Sequence, residues 1–249
     1  MLVKSQVKYI QSLGQKKFRD QERVFIVEGP KMVKELLSTP NTRPVQVYAV
    51  HDWLESHRGS ISGMPAAGVV EIRDSDLERI SSLSTPNQVL AIFEKPSFPA
   101  PDFENAVSIL LDGIQDPGNL GTIIRIADWF GIRQVICTHD SADVFNTKTV
   151  QSTMGSIVRV QVLYEDLEAL IREQVSRRLP VYAATLEGES IYNAQRITKG
   201  MIVIGNESRG IRREILELAP HYITIPRTGE AESLNAAVAA GIILSHLLR

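Results

Sequence analysis

The sequence predicts an α/β protein built in two parts, and three features carry that prediction. Short apolar runs recur along the chain, the pattern of strands buried within a sheet. Between them lie stretches with apolar residues at helical spacing, so strands and helices alternate. The segment EKPSFPAPDF at 94–103, with its three prolines, interrupts that alternation, because proline stiffens the chain and lacks the N–H that strand pairing needs. Residues 1–96 therefore read as a small α/β domain, 97–105 as a Pro-rich linker and 106–249 as a second α/β domain.

In the first part, Val3, Val7, Ile10 and Leu13 form a helical stripe, followed by the charged run KKFRDQER. Val24 to Val27 reads as a strand, and Pro30 to Leu37 as a helix with proline in its first turn. Val45 to Val50 reads as a strand, Asp52 to His57 as a short helix and Val69 to Ile72 as a strand. Ser75 to Leu83 is expected to be helical with Asp74 as its cap, before a last strand from Val89 to Phe93.

The second part opens on AVSILLDGIQDPGNLGTIIRIADWFG, around which the rest is organised. Val107 to Leu111 is a buried-strand run, and the polar turn from Gly113 to Gly121 bends the chain sharply. Ile123, Ile124, Ala127 and Phe130 then recur at helical spacing until Gly131 ends the helix. Further strands are expected at Gln134–Thr138, Val181–Leu186, Met201–Ile204 and Tyr222–Ile225. Helices are expected at Leu167–Leu179, Arg212–Leu218 and Leu234–Leu248. This order implies a parallel sheet covered on both faces, with ligands at the carboxyl ends of its strands. In the closing helix Leu234, Val238, Gly241/Ile242, Ser245 and Leu248 form a stripe, and alanines keep the helix thin. Tight packing inside the domain and a subunit interface both remain open for it.

A chain of 249 residues with 43% hydrophobic and 22% charged residues has an ordinary globular composition. The lone cysteine, Cys137, excludes an internal disulfide, and no apolar run near either end suffices for a signal peptide or a span. A cytoplasmic protein without membrane contact is the expectation. The net charge of -2 argues against a general nucleic-acid coater. Yet residues 1–43 hold nine Lys/Arg and four Asp/Glu, leaving 18 and 25 for the rest. A basic front end on an acidic body suits a local phosphate contact, since counterion release depends on the patch; a solvated helix face is the alternative.

Several familiar chemistries lack their residues. The five histidines are scattered and no Cys/His cluster has ligand spacing, so no metal is expected. Neither a Gly-x4-Gly-Lys-Ser/Thr phosphate loop nor a Gly-x-Ser-x-Gly elbow occurs. GIQDPGNLG, with Asp140 about twenty residues beyond, superficially suggests a dinucleotide site. Its glycine spacing is wrong, and Pro117 stands where the tight turn belongs. Three loops leaving buried strands remain: DPGNLGTIIRIADWFG (116–131), VIGNESRGI (203–211) and ITIPRTGEAESLNAAVAAG (223–241).

Together these loops resemble the three motifs of the SpoU (TrmH) family of RNA 2'-O-ribose methyltransferases. The first carries Asn119, Gly121, Arg125 and Ala127, the second Gly205, Glu207 and Gly210, the third Ser233, Leu234 and Asn235. The resemblance spans about 106 to 249 and implies a SPOUT-type α/β domain with a deep trefoil knot. It also implies bound S-adenosylmethionine (AdoMet) and a homodimer formed through this domain. Carried over by position, Gly205, Ile225 and Leu234 would hold AdoMet through backbone groups, with Thr185 and Leu186 near the adenosine. Asn119, Arg125, Glu207, Ser233 and Asn235 would form the catalytic set. Arg227 stands where the family often has Met, and Ser208 where it often has Gly.

Methyl transfer from a sulfonium to a ribose 2'-oxygen needs alignment and partial removal of the hydroxyl proton. Guanidinium is a poor base, so Arg125 is expected to clamp phosphate and stabilise developing charge on the oxygen. Asn119 and Asn235 can each donate and accept, which suits a hydroxyl that must be held while it loses a proton. Blander roles stay open: helix caps for Asn119 and Ser233, a surface ion pair for Arg125, a loop-amide acceptor for Glu207.

The segment 8–37 resembles the L30e-like substrate-binding domain attached to many SpoU enzymes, which would cover about 1–96. Lys16, Lys17, Arg19 and Arg23 are the candidates there for RNA phosphate contacts, which position without specifying sequence. Ribosomal RNA is the expected partner and transfer RNA the alternative. A non-catalytic RNA-binding module and a dinucleotide-dependent oxidoreductase are the rivals.

Overall fold

The computed structural model describes residues 2–40 and 42–248, with Ala67 described by its backbone alone. The chain divides into two compact units, Met1–Ser97 with Phe145–Val158, and Phe98–Val144 with Arg159–Arg249.

In the first unit the elements are α1 (Lys4–Ser12), α2 (Lys16–Glu22), β1 (Val24–Glu28), α3 (Pro30–Ser38) and β2 (Pro44–Ala49). They continue with α4 (His51–Ser56), α5 (Arg58–Ile61), β3 (Val69–Glu71), α6 (Asp74–Ile80) and β4 (Val89–Glu94). The sheet order is β1-β4-β2-β3, with β4 antiparallel to both neighbours and β2 parallel to β3. Its core joins Val7, Ile10 and Leu13 of the first helical stripe to Ile26, Tyr48, Leu77, Leu90 and Ile92. The cap expected at Asp74 is not one: Asp74 is the first helical residue and Arg73 precedes it in extended backbone.

The second unit begins with β5 (Val107–Asp112), α7 (Pro117–Trp129) and β6 (Gln134–Cys137). Next in the chain comes α8 (Thr147–Thr153), which clusters with the first unit and packs on β1, where Gln151 Nε2 donates to Glu28 O at 2.9 Å. Neither α8 nor the following strand β7 (Gln161–Tyr164) was expected, because both are short and carry half-polar patterns. Then follow α9 (Leu167–Ser176), β8 (Val181–Ser190), β9 (Gly200–Gly205), α10 (Arg213–Leu216), β10 (His221–Thr224) and α11 (Ala236–Leu247).

Every pairing in the second sheet is parallel, in the order β10-β8-β9-β5-β6-β7. After β5 the chain runs outward through β6 and β7, then returns to the other side of β5 for β8 and β9. β5 and β9 are therefore neighbours whose connections leave in opposite directions, and such a switch point opens a crevice at the carboxyl ends. Asp112 and Gly205 end the two strands in register with one another.

The closing helix turns a different side inward than its stripe suggested. Ala237, Ala240, Ile243, Leu244 and Leu247 are buried, while Val238 is 51% exposed and Leu234 lies outside the helix altogether. A helix apolar all round cannot announce its inner face by periodicity. It packs against α7, with Ile126 Cδ1 next to Gly241. Among the described residues no helix is long and apolar enough to cross a membrane.

Candidate active site

The first and third loops meet at Asn119, and the second reaches it as well. Asp116 caps α7, its Oδ1 accepting from the Asn119 backbone N at 2.9 Å. Asn119 is thus released from the capping role open to it, and its side chain faces the crevice. Asn235 caps α11, with Oδ1 accepting from Ala237 N at 2.9 Å and Val238 N at 3.3 Å. Since that oxygen is committed to the helix, the Asn235 amide nitrogen is the free end, and it donates to Asn119 Oδ1 at 2.9 Å. The Asn119 amide nitrogen must then point the other way, and it donates to the Glu207 carboxylate. A hydrogen-bonded row from Asn235 through Asn119 to Glu207 results, with each amide oriented by its neighbour.

Arg125 lies two turns into α7, exposed, with no hydrogen bond or ion pair among the described residues, so the surface ion pair open to it does not form. Ser233 is exposed and caps nothing, because the cap is Asn235. The loop-amide role open to Glu207 falls to Asn206, whose Oδ1 accepts from Ser208 N at 2.9 Å and Arg209 N at 3.2 Å. Arg227 closes its own loop by donating to Ala231 O at 3.1 Å.

A second group of side chains at this edge escaped the sequence reading. Asn206 Nδ2 donates to Gly113 O at 2.8 Å. Asp112, 1% exposed, accepts from Arg212 N at 2.7 Å and from Arg212 Nε at 2.6 Å. Arg212 Nη2 also donates to Asp140 Oδ1 at 3.0 Å. The hydrogen bond to Asp112 raises the Arg212 pKa further, while the Thr138 hydroxyl and then Arg212 hold the Asp140 carboxyl below its ordinary range. The one available signal was a carboxylate closing an apolar strand, which must find a partner if buried.

The residues expected at the cofactor edge come from the ends of β8, β9 and β10. β10 pairs with β8 at Tyr182 and Ala183 and again at Glu189 and Ser190, so residues 184–188 bulge out of the ladder. Thr185 and Leu186 ride on that bulge, which Thr224 Oγ1 holds by donating to Leu186 O at 3.1 Å. Leu186 and Leu234 are exposed apolar side chains, and Ile225 directly follows β10. At Gly205 a Cβ would come closer than 3.0 Å to the backbone of Gly210 and Ile211, so the loop can fold back over this position only without a side chain. Cys137 offers no nucleophile, since burial pushes its thiol up to about 12. Among the described residues no group of three or more His, Cys, Asp or Glu is placed to hold a metal ion.

In the first unit Lys17 and Arg23 are exposed, and Lys16 is exposed beside Asp20 at 3.3 Å. Arg19 corrects the expectation: it is 2% exposed, and its Nη1 donates to Leu13 O at 2.7 Å. A guanidinium spent on an internal carbonyl is unavailable to phosphate, so the surface cluster narrows to the other three.

A doubly covered parallel sheet with polar loops gathered at its switch point defines an α/β enzyme domain of ligand-binding type. Residues 106–245 match the SpoU rRNA Methylase family, and residues 4–91 match the MRM3-like substrate binding domain. The chain belongs to the SpoU family. It is 31% identical, over 97% of its length and 95% of the other's, to the 23S rRNA (guanosine(2553)-2'-O)-methyltransferase RlmP of Bacillus subtilis. A TrmH-family protein of Porphyromonas gingivalis superposes with a TM-score of 0.87 at 40% identity, covering 99% of this chain and 98% of that one. An AdoMet-bound rRNA methyltransferase of Sinorhizobium meliloti does so with a TM-score of 0.86 at 30% identity, covering 99% and 95%.

Proposed function

We propose that this chain transfers a methyl group from AdoMet to a ribose 2'-hydroxyl of ribosomal RNA. The observation that carries the reading is the row Asn235–Asn119–Glu207 with the exposed Arg125 on the same helix as Asn119. The residues present fit AdoMet. The bulge at 184–188 and the loops after β9 and β10 offer backbone donors and acceptors beside exposed Leu186 and Leu234, which suits an amphipathic nucleoside. Thr185, Leu186, Gly205, Ile225 and Leu234 would hold it, and it supplies the electrophilic methyl group when bound.

This chain's own residues orient the acceptor. Asn119 and Asn235 hold the hydroxyl beside the Glu207 carboxylate, in amide orientations that α11 dictates. Arg125, exposed and without a partner among the described residues, engages phosphate and stabilises charge developing on the 2'-oxygen. Ser233, exposed two residues before the cap, contacts the substrate. Lys16, Lys17 and Arg23 add phosphate contacts from the substrate-binding domain. The domain limits 1–96 and 106–249, a trefoil knot at the third motif and a cytoplasmic setting belong to the same reading.

A homodimer does too. Trp129, 84% exposed, and Val238 lie on two helices that pack together, and exposed apolar area of this kind favours a second copy. Sedimentation of a monomer at micromolar concentration would remove this element.

The reading is tested by mapping 2'-O-methylation in total RNA with and without the gene, alongside methyl transfer in vitro. A ribosomal RNA site lost with the gene and restored by purified protein is expected. Restoration of a transfer RNA site instead would move the substrate class, and methylation unchanged by the deletion would end the proposal. Arg125→Lys is expected to lower turnover by roughly 10²-fold, since one ammonium cannot reproduce a planar fork.

A further inference from the structure

The loop that carries Glu207 is pinned at both ends to consecutive residues of another strand end. At its start Asn206 donates through Nδ2 to Gly113 O at 2.8 Å. At its far end Arg212 binds Asp112 through backbone N at 2.7 Å and Nε at 2.6 Å. Between the pins it closes on itself, Asn206 N donating to Gly210 O at 3.0 Å and Gly210 N to Asn206 O at 2.9 Å. Gly113 opens the turn that delivers Asn119 to the crevice, and its φ of 69° makes that bend. Both partners of the Glu207–Asn119 hydrogen bond thus hang from the 112–113 corner.

We propose that Arg212 is a positioning residue for methyl transfer, which by clamping Asp112 holds the Glu207 loop against Asn119. The inference rests on the methyltransferase reading above and assigns a device within it. The two pins differ in kind. Asn206 makes a neutral hydrogen bond, whereas Arg212 offers a charged fork to a carboxylate 1% exposed. Its Nη2, 2.6 Å from Asp112, also reaches Asp140 beyond β6 at 3.0 Å, so the guanidinium ties the ends of β5, β6 and β9 together. With the fork removed, only the Arg212 backbone N–H still holds the far end to Asp112, so the loop loosens and Glu207 loses its fixed place against Asn119, while Arg125 and the first-unit lysines are untouched. Lysine can restore the charge between these carboxylates but not the planar fork by which Nε and Nη2 together hold Asp112.

The test is a double-mutant cycle in the full-length protein, read as kcat and KM for methyl transfer to RNA. Arg212→Gln is expected to lower kcat about a hundredfold, the usual cost of small misplacement, with KM for RNA changed less than about threefold. Arg212→Lys should recover about tenfold of that loss. In a Glu207→Gln background Arg212→Gln should lower kcat by less than about threefold, because the residue it positions is already disabled. Equal losses in both backgrounds, or a loss confined to KM, would overturn the clamp. Amide exchange of residues 206–211 supplies a readout independent of turnover. Faster exchange in Arg212→Gln, confined to that loop, supports the clamp, and unchanged or chain-wide faster exchange overturns it. A wild-type chain that transfers no methyl group defeats the reading underneath, and the role with it. An active wild type with equal losses defeats the clamp alone.

Discussion

Asn119 gains its importance from being hydrogen-bonded on both sides by groups that have no freedom to turn. Asn235 cannot reverse its amide without stripping α11 of its cap, and Glu207 as a carboxylate can only accept. Replacing Asn119 with Asp preserves shape but turns the donor facing Glu207 into a second carboxylate oxygen. Turnover of Asn119→Asp is expected to fall at least about 10²-fold while the protein still melts cooperatively. Near-normal turnover would show that the row is not the catalytic arrangement. Gly205 makes a complementary point about space. In Gly205→Ala the new Cβ would collide with the backbone of Gly210 and Ile211, so the loop must shift. A cost of about 1–3 kcal/mol in stability is expected, with weakened AdoMet binding by calorimetry. Unchanged affinity and melting temperature would mean that the loop yields freely.

Helix α11 shows how one element serves two ends. Its cap is Asn235, not the serine two residues before, and Ser233 has no capping bond. Ser233→Ala should therefore leave stability within about 0.5 kcal/mol, whereas Asn235→Ala should cost about 1 kcal/mol. Both should lower turnover. Denaturant melts of the two variants decide the matter, and equal destabilisation would contradict the assignment. The inner face of the same helix is hidden from sequence periodicity. With alanine or a larger apolar residue at most positions, the choice of side falls to packing against α7, where Ile126 lies next to Gly241. Likewise α8 could not be foreseen in the first unit, since its attachment to β1 runs through residues 123 apart in sequence.

One contribution to the acid limb of stability comes from Asp140, just beyond the end of β6. Asp140 has its pKa depressed below 3.8, first by the Thr138 hydroxyl and then by Arg212. A depressed carboxylate stabilises the fold above its unfolded value and loses that contribution as pH falls through the folded one. Thermal melts should thus lose stability below about pH 4, and Asp140→Asn should flatten that slope. The change should be small and weaken with salt, because Asp140 is 53% exposed. An identical acid slope in the variant would show that the carboxyl group is not linked to folding.

Alternating strands and helices, the Pro-rich interruption and the three glycine-bearing loops were all legible in the sequence. Each is written in local periodicity or turn chemistry, which needs no knowledge of neighbours. Residue types in the loops also carried the family, and with it Asn119, Glu207 and Asn235. Tertiary structure alone decided that these three form one row, that Arg19 points inward, and that Arg212 finds Asp112 a hundred residues away. Such contacts depend on which strands become neighbours, and strand order in a parallel sheet is set by packing of distant segments rather than by any short stretch of chain.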